Sequence, residues 1–245
     1  MANRIVSLVP SLTEAIAATL PGRLVAATDY CTHPGDLEVA RIRGTKNPDV
    51  DQIIALAPDL VVANAEENRA VDLDRLRDAG LSVHVMYPTT VPDALDALSV
   101  MLRACGTHDD PEWLSMARAQ WSAPEPAPIA TAVIPIWRRP WMVLGRDTFA
   151  GDVLARCGVQ NAFAGIEGIE DHYPKVSVER ILATEPDLLV LPDEPYAFSD
   201  DDGPEAFDGI PHACVSGRDL TWYGPSLVGA RKRLTTAIEE ALSRG

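Results

Sequence analysis

The chain of 245 residues is 47% hydrophobic and 23% charged, the proportions of a folded globular protein and not of a disordered one. Its net charge of -15 at pH 7, with lysine and arginine scattered along the chain, excludes the concentrated basic surface that nucleic acid demands. No apolar run approaches the roughly eighteen residues of a membrane-crossing helix, so the chain is not expected to span a membrane.

In chain order, Arg4 to Val9 reads as a first strand running into Pro10-Ser11-Leu12-Thr13-Glu14. There Ser11 is expected to cap a helix, and Glu14, three residues on, to close a capping box. A strand feeding a capped helix aims backbone N–H groups at whatever lies above it. Alternating pieces follow at Leu24 to Ala27, Asp51 to Leu56, Leu60 to Ala65, Asp72 to Ala79 and Ser82 to Tyr87, which predicts a mainly parallel sheet. From Pro92 to Trp121 the pattern is helical and is broken by turn residues near Gly106 to Pro111. The Ala-Pro-rich stretch Ala123 to Pro128 then opens a second series. It starts with a strand over Ile129 to Ile136, continues through a helix start at Gly145 to Phe149, and ends with a strand and helix in Ala213 to Leu242.

The two series are copies of one design. Val50 to Ala63 reappears 128 residues later as Val178 to Leu191, with seven of fourteen positions identical. Each copy reads as a short amphipathic helix, a Pro-Asp stop and an apolar run, the pattern of a helix feeding a buried parallel strand. The expected architecture is α/β. It comprises an N-terminal lobe over residues 1–91, a helical connection over 92–125 and a C-terminal lobe over 126–245, with mainly parallel sheets and a ligand cleft between the lobes.

Four cysteines, Cys31, Cys105, Cys157 and Cys214, lie far apart without CxxC spacing, which excludes a zinc-ribbon pattern. Cys105 and Cys157 precede glycines at expected helix ends and read as buried thiols. Cys31 alone sits where chemistry is expected.

Several segments together resemble the helical-backbone (class III) binding proteins, the cobalamin-, haem- and siderophore-binding proteins that feed ABC importers. They are Arg4 to Glu14, Gly44-Thr45-Lys46-Asn47-Pro48, the two repeat copies and Tyr173-Pro174-Lys175-Val176-Ser177. Tyr30-Cys31-Thr32-His33-Pro34, Glu66-Glu67-Asn68-Arg69, Ile136-Trp137-Arg138 and Asp193 to Phe198 resemble a leaderless branch of the cobalamin-binding group. The resemblance spans nearly the whole chain and implies two Rossmann-like lobes with a small molecule bound between them. It places Tyr30 where a ring packs on the corrin and Tyr173 where a tryptophan does so. Lys46 stands where the cobalamin binders have another tryptophan, a cation in place of a stacking platform, which favours an anionic or carboxylate-bearing ligand. Asp51 and Glu179, equivalent within the repeat, resemble the acids that dock on importer arginines, although an acid at a helix start is also ordinary dipole stabilisation. The span Asp109 to Gln120 is shorter than the family's backbone helix.

Strand ends in an open parallel sheet carry the ligand. Ser11, Tyr30, His33, Glu66, Glu67, Asn68, Trp137, Glu194, Tyr196 and Trp222 all follow expected strands. With Lys46, Asn47 and Tyr173 they make the expected ligand-binding set. The aromatic members either stack on a flat ligand or plug a lobe interface, and Glu66 to Arg69 is either a ligand loop or a self-neutralising surface turn. His33 is a candidate metal ligand, alone on a bound chelate or with Glu66 or Glu67, Glu194 and His212.

The expectation is therefore noncovalent binding of a corrinoid or similar metal chelate, with no catalytic residue, no required cofactor and an ABC importer permease as candidate partner. The competing reading is a metal- or thiol-dependent enzyme using Cys31 and His33, against which stand the missing nucleophile elbow, phosphate loop and HExxH. Structured residues start almost at Met1 with no leader pattern, which favours a cytoplasmic carrier or sensor over an exported mature domain.

Overall fold

A computed structural model describes residues 2–166 and 171–244. The chain divides into two compact units: Met1–Pro88, Asp93–Arg118 and Tyr223–Pro225 form one, and Thr89–Pro92, Ala119–Trp222 and Ser226–Gly245 the other.

The first unit's elements run β1 (Ile5–Ser7), α1 (Pro10–Thr19), β2 (Leu24–Ala27), β3 (Ala40–Arg41), β4 (Arg43–Gly44), β5 (Asn47–Pro48), α2 (Val50–Leu56), β6 (Leu60–Asn64), α3 (Ala70–Asp78), β7 (Val83–Met86), α4 (Val91–Cys105) and α5 (Glu112–Trp121), the two last helices sharing residues with the other unit. Its sheet has the order β3-β2-β1-β6-β7 and is parallel throughout. β1 and β6 are buried at every position, which is why they read as continuous apolar runs and not as alternating ones. β4 and β5 form a small antiparallel hairpin.

The expected capping box at the start of α1 does not form. Val9 is the N-cap, without a side-chain bond, and Pro10 takes the first helical position. Proline is preorganised there and has no N–H to satisfy, so the helix begins two residues early and draws Ser11 inside, where it is buried.

The second unit continues with β8 (Ala130–Val133), β9 (Pro135–Arg138), β10 (Trp141–Val143), α6 (Phe149–Ala155), β11 (Val159–Asn161), α7 (Val178–Leu182), β12 (Leu188–Pro192), β13 (His212–Val215), α8 (Gly217–Thr221) and α9 (Leu227–Leu242). The sheet order β11-β8-β12-β13 is again parallel and repeats the β2-β1-β6-β7 order of the first unit. The single strand expected over Ile129 to Ile136 is two strands. Pro135 cannot donate to a ladder, and the chain leaves the sheet there to form the β9–β10 hairpin. Phe163 and Phe207, both about fully buried, join Val133, Leu189 and Leu191 in the core beneath, where each ring contributes roughly 1.5–3 kcal/mol by leaving water.

The sequence repeat has a residue-level cause. Asp49 and Ser177, 128 apart, cap α2 and α7 by accepting from Gln52 N–H and Arg180 N–H. Ala57 and Glu185, at the next equivalent position, are both left-handed, with φ of 45° and 47°. Asp59 then accepts from the Asn3 and Arg4 N–H groups at 2.7 and 3.0 Å, and Asp187 from Thr131 N–H at 2.8 Å. Each aspartate ties the incoming end of one strand to the strand beside it, so Pro-Asp is a register lock as well as a helix stop.

Candidate ligand-binding site

The carboxyl ends of β1, β2 and β6 gather most of the expected residues of the first unit. Asn68 organises them: its Oδ1 accepts from Asn64 N–H at 2.9 Å and its amide donates to Leu8 and Thr45 carbonyls at 3.4 and 3.0 Å. Buried and committed to three backbone groups, Asn68 holds three loops together. Asn64 accepts from the Glu66 and Glu67 N–H groups at 2.7 and 3.0 Å and donates to the Tyr223 hydroxyl at 2.5 Å. Burial, then the charges of Glu67 and Glu66, push the Tyr223 phenol up, while bonds to Asn64 and Ser11 oppose that shift. Ser11 thus serves this buried network. Lys46 Nζ donates to the Glu66 carbonyl. Tyr30 stands 66% exposed, its ring set over Gly44, where a Cβ would lie 3.1 Å from Tyr30 Cε2 and 2.6 Å from Asn47 Oδ1. Only a glycine lets both side chains approach there.

In the second unit the β9–β10 hairpin and the loop after β12 carry an aromatic ladder. Trp137, 42% exposed, meets Tyr196 edge-on with centroids 5.7 Å apart. Tyr196 tilts onto Phe198 at 4.6 Å, and Phe198 stacks on Trp141 at 6.0 Å. The Tyr196 hydroxyl donates to Asp202 at 2.7 Å. Arg138 lies over Trp141 and pairs with Asp202 and Glu205, so the ladder is braced by charge from behind. Tyr173, half-buried, sits in a segment whose Pro174 and Val176 bond β10.

Glu194 and Trp222 form a separate pair. The Trp222 ring is buried, with the Arg218 guanidinium 5.8 Å from its centroid, and its indole N–H donates to Glu194. Trp222 is therefore a structural ring and not the open platform its loop position suggested.

The remaining candidates separate. Cys31, expected to be chemically available, is fully buried, hydrogen-bonded to Thr13 and Thr28 hydroxyls at 3.0 and 3.1 Å. A strand end that turns inward accounts for this, and it removes the thiol nucleophile from the competing enzyme reading. His33 precedes a cis proline and meets the Thr32 hydroxyl at 3.2 Å. His212 has other company than expected, Asp200 at 3.1 Å. Among the described residues, the one group of three metal-ligating side chains is Asp200, His212 and Cys214, and His33 is not in it. Asp51 and Glu179 are exposed on the first turns of α2 and α7. Asp51 pairs with Arg75 at 2.9 Å, and a bond from Ser177 holds Glu179 below the usual carboxylate range.

Sequence reasoning missed Asn64 and the Arg138 brace, although Arg138 lay inside a motif already singled out. A polar residue ending an apolar strand was the available signal for Asn64.

Two mainly parallel sheets of the same strand order, each with its loops gathered at the strand ends, make up a fold that the chain shares with class III binding proteins. The periplasmic vitamin B12-binding protein of Vibrio cholerae superposes with a TM-score of 0.80 at 24% identity over 98% of both chains. A periplasmic haem-binding protein of Roseiflexus superposes at 0.79 and 22% identity, over 99% of this chain and 100% of that one. In sequence, the vitamin B12-binding protein of Vibrio cholerae is 28% identical over 198 residues, 77% of this chain and 70% of its own length. That of Vibrio campbellii is 29% identical over 202 residues, with the same shares. No protein-family model matches the chain. These relatives are named for binding and not for a reaction. No helix among the described residues is long and apolar enough to cross a membrane.

Proposed function

We propose that the protein binds a flat metal chelate, a corrinoid or haem-like molecule, noncovalently, at the loops of its strand ends. The carrying observation is the pair of open rings. Tyr30 and Trp137 are 66% and 42% exposed, yet each is set in place from behind, by Gly44 and by Tyr196. A positioned ring left in water is a stacking surface awaiting a partner. Lys46 beside Tyr30's loop supplies a cation for carboxylates on the ligand's edge. The relatives named for vitamin B12 and haem support the same ligand class.

Titration of the purified protein with cobalamin, cobinamide and haem, followed by tryptophan fluorescence and the ligand's visible band, tests this. One of the three is expected to saturate, and Tyr30→Ala and Trp137→Ala are each expected to weaken it about tenfold, the equivalent of about 1.4 kcal/mol. Absence of binding by the folded protein to all three overturns the reading. The compartment is decided separately. The cytoplasmic setting expected from the sequence and the periplasmic one printed for the relatives differ in whether a cleaved precursor and an exported fraction exist.

A further inference from the structure

We propose that Asp200, His212 and Cys214 form a binding site for a divalent transition metal of the zinc type on the open face of β13, the edge strand of the second unit's sheet. His212 and Cys214 are two apart on a strand and so point to the same side. The burial alternation of β13, with Ala213 and Val215 buried and Cys214 exposed, makes that side the outer one. Asp200 reaches the same place from the long connection between β12 and β13. Its Oδ1 lies 3.1 Å from His212 Nε2 and 3.4 Å from Cys214 Sγ, and the ligand atoms of the three residues all lie within 4.8 Å of one another.

The two separations to Asp200 Oδ1 lie close to the edges of a coordination tetrahedron. Zinc bonds of about 2.0–2.3 Å to nitrogen, oxygen and sulfur put neighbouring ligand atoms roughly 3.3–3.7 Å apart. In the metal-free protein Asp200 Oδ1 shares protons with both partners, and an ion takes the place of those protons. The donor set selects the ion: imidazole with thiolate suits zinc and its transition-metal neighbours, whereas magnesium and calcium take oxygen donors alone. Asp200 and a Cys214 thiolate together neutralise a divalent charge. Burial, then Asp200, push the Cys214 thiol up to about 11 and the Arg244 charge opposes that shift, so the ion itself must displace the thiol proton. Three protein ligands leave a fourth position open for water or an outside donor.

The site is separate from the aromatic loops. His212 opens β13 opposite Leu189, whereas Asp193 and Glu194 follow the carboxyl end of β12. Between them runs the connection that carries Glu194, Tyr196 and Phe198, so an ion here would pin that connection to the sheet edge at its far side.

Cobalt(II) is the direct probe, because a thiolate ligand gives it a sulfur-to-metal charge-transfer absorption. With metal-stripped protein, one equivalent is expected to produce that band, and zinc to abolish it by displacement. Zinc is also expected to protect Cys214 from iodoacetamide, the other three cysteines being buried. Cys214→Ser should remove the band, and His212→Ala should lower zinc affinity by at least about tenfold. Both side chains lie at the surface of an edge strand, and unchanged far-ultraviolet circular dichroism confirms that the variants fold. Absence of the sulfur band, or equal zinc affinity in a folded Cys214→Ser/His212→Ala double variant, overturns the proposal.

Discussion

Burial pushes the Glu194 carboxyl above the usual carboxylate range; the indole N–H of Trp222 opposes that shift, the charge of Asp193 adds to it and Arg218 opposes it. Its Oε1 is buried without a hydrogen-bond partner, and the adjoining backbone is closely packed: a Cβ at Gly217 would sit 2.3 Å from Glu194 Cγ and 2.8 Å from its carbonyl oxygen. A carboxyl whose folded pKa exceeds its unfolded one costs stability once ionised. That cost is absent well below the ordinary value of 4.5 and grows as pH rises through the interval up to the folded value. Glu194→Gln keeps an acceptor for the indole and removes the charge. It is expected to raise Tm at pH 7 and leave Tm nearly unchanged at pH 4, as followed by calorimetry. An equal shift at both pH values would contradict this account.

Loops at the strand ends are held by single residues that span several elements. Asn68 joins the turn after β1, the β4–β5 hairpin and the turn after β6 through three bonds. Asn68→Ala leaves a buried N–H and two buried carbonyls without this partner, which costs about 3 kcal/mol by chemical denaturation. A loss below about 1 kcal/mol would show that the loops hold their shape without it. Much of the element pattern was legible in the sequence, because helices α2 and α7 and strands β6 and β12 announce themselves by periodicity, the Pro-Asp stop and an apolar run. The start of α1 was not, since a serine followed by glutamate three residues later imitates a cap whenever proline has already taken the first position. The site was legible only as far as position follows from strand ends. Tyr30 and Trp137 stand exposed, one in a loop and one on the β9–β10 hairpin, whereas Trp222 and Cys31, equally placed along the sequence, turn inward under packing that no local pattern encodes. The Asp200 side chain, twelve residues from His212, is brought to it only by the path of a long connection.

At the scale of the whole molecule, the repeat places equivalent acids on both units: Asp51 and Glu179 each project from the first turn of a helix whose cap, stop and following strand correspond. We propose these two as the docking points for an importer permease, supported by their exposure and equivalence. Asp51→Arg/Glu179→Arg is expected to retain ligand affinity and to lose importer-dependent uptake; uptake at the unaltered rate would dismiss the docking role. The net charge of -15 keeps like molecules apart and speaks for solubility, not for fold. The two units differ in how they use the chain. The second includes 119–222 and the closing 226–245, whereas the first includes Tyr223–Pro225 beside its N-terminal residues. Tyr223 brings its hydroxyl to Asn64, across 159 positions of sequence. On the ribosome, therefore, the unit whose sheet is made first is completed only after most of the other unit has been synthesised. Its sheet can gather early, but the phenol that seals the turn after β6 is added 159 positions after Asn64, and until it arrives the nascent first unit waits with a buried socket open to water.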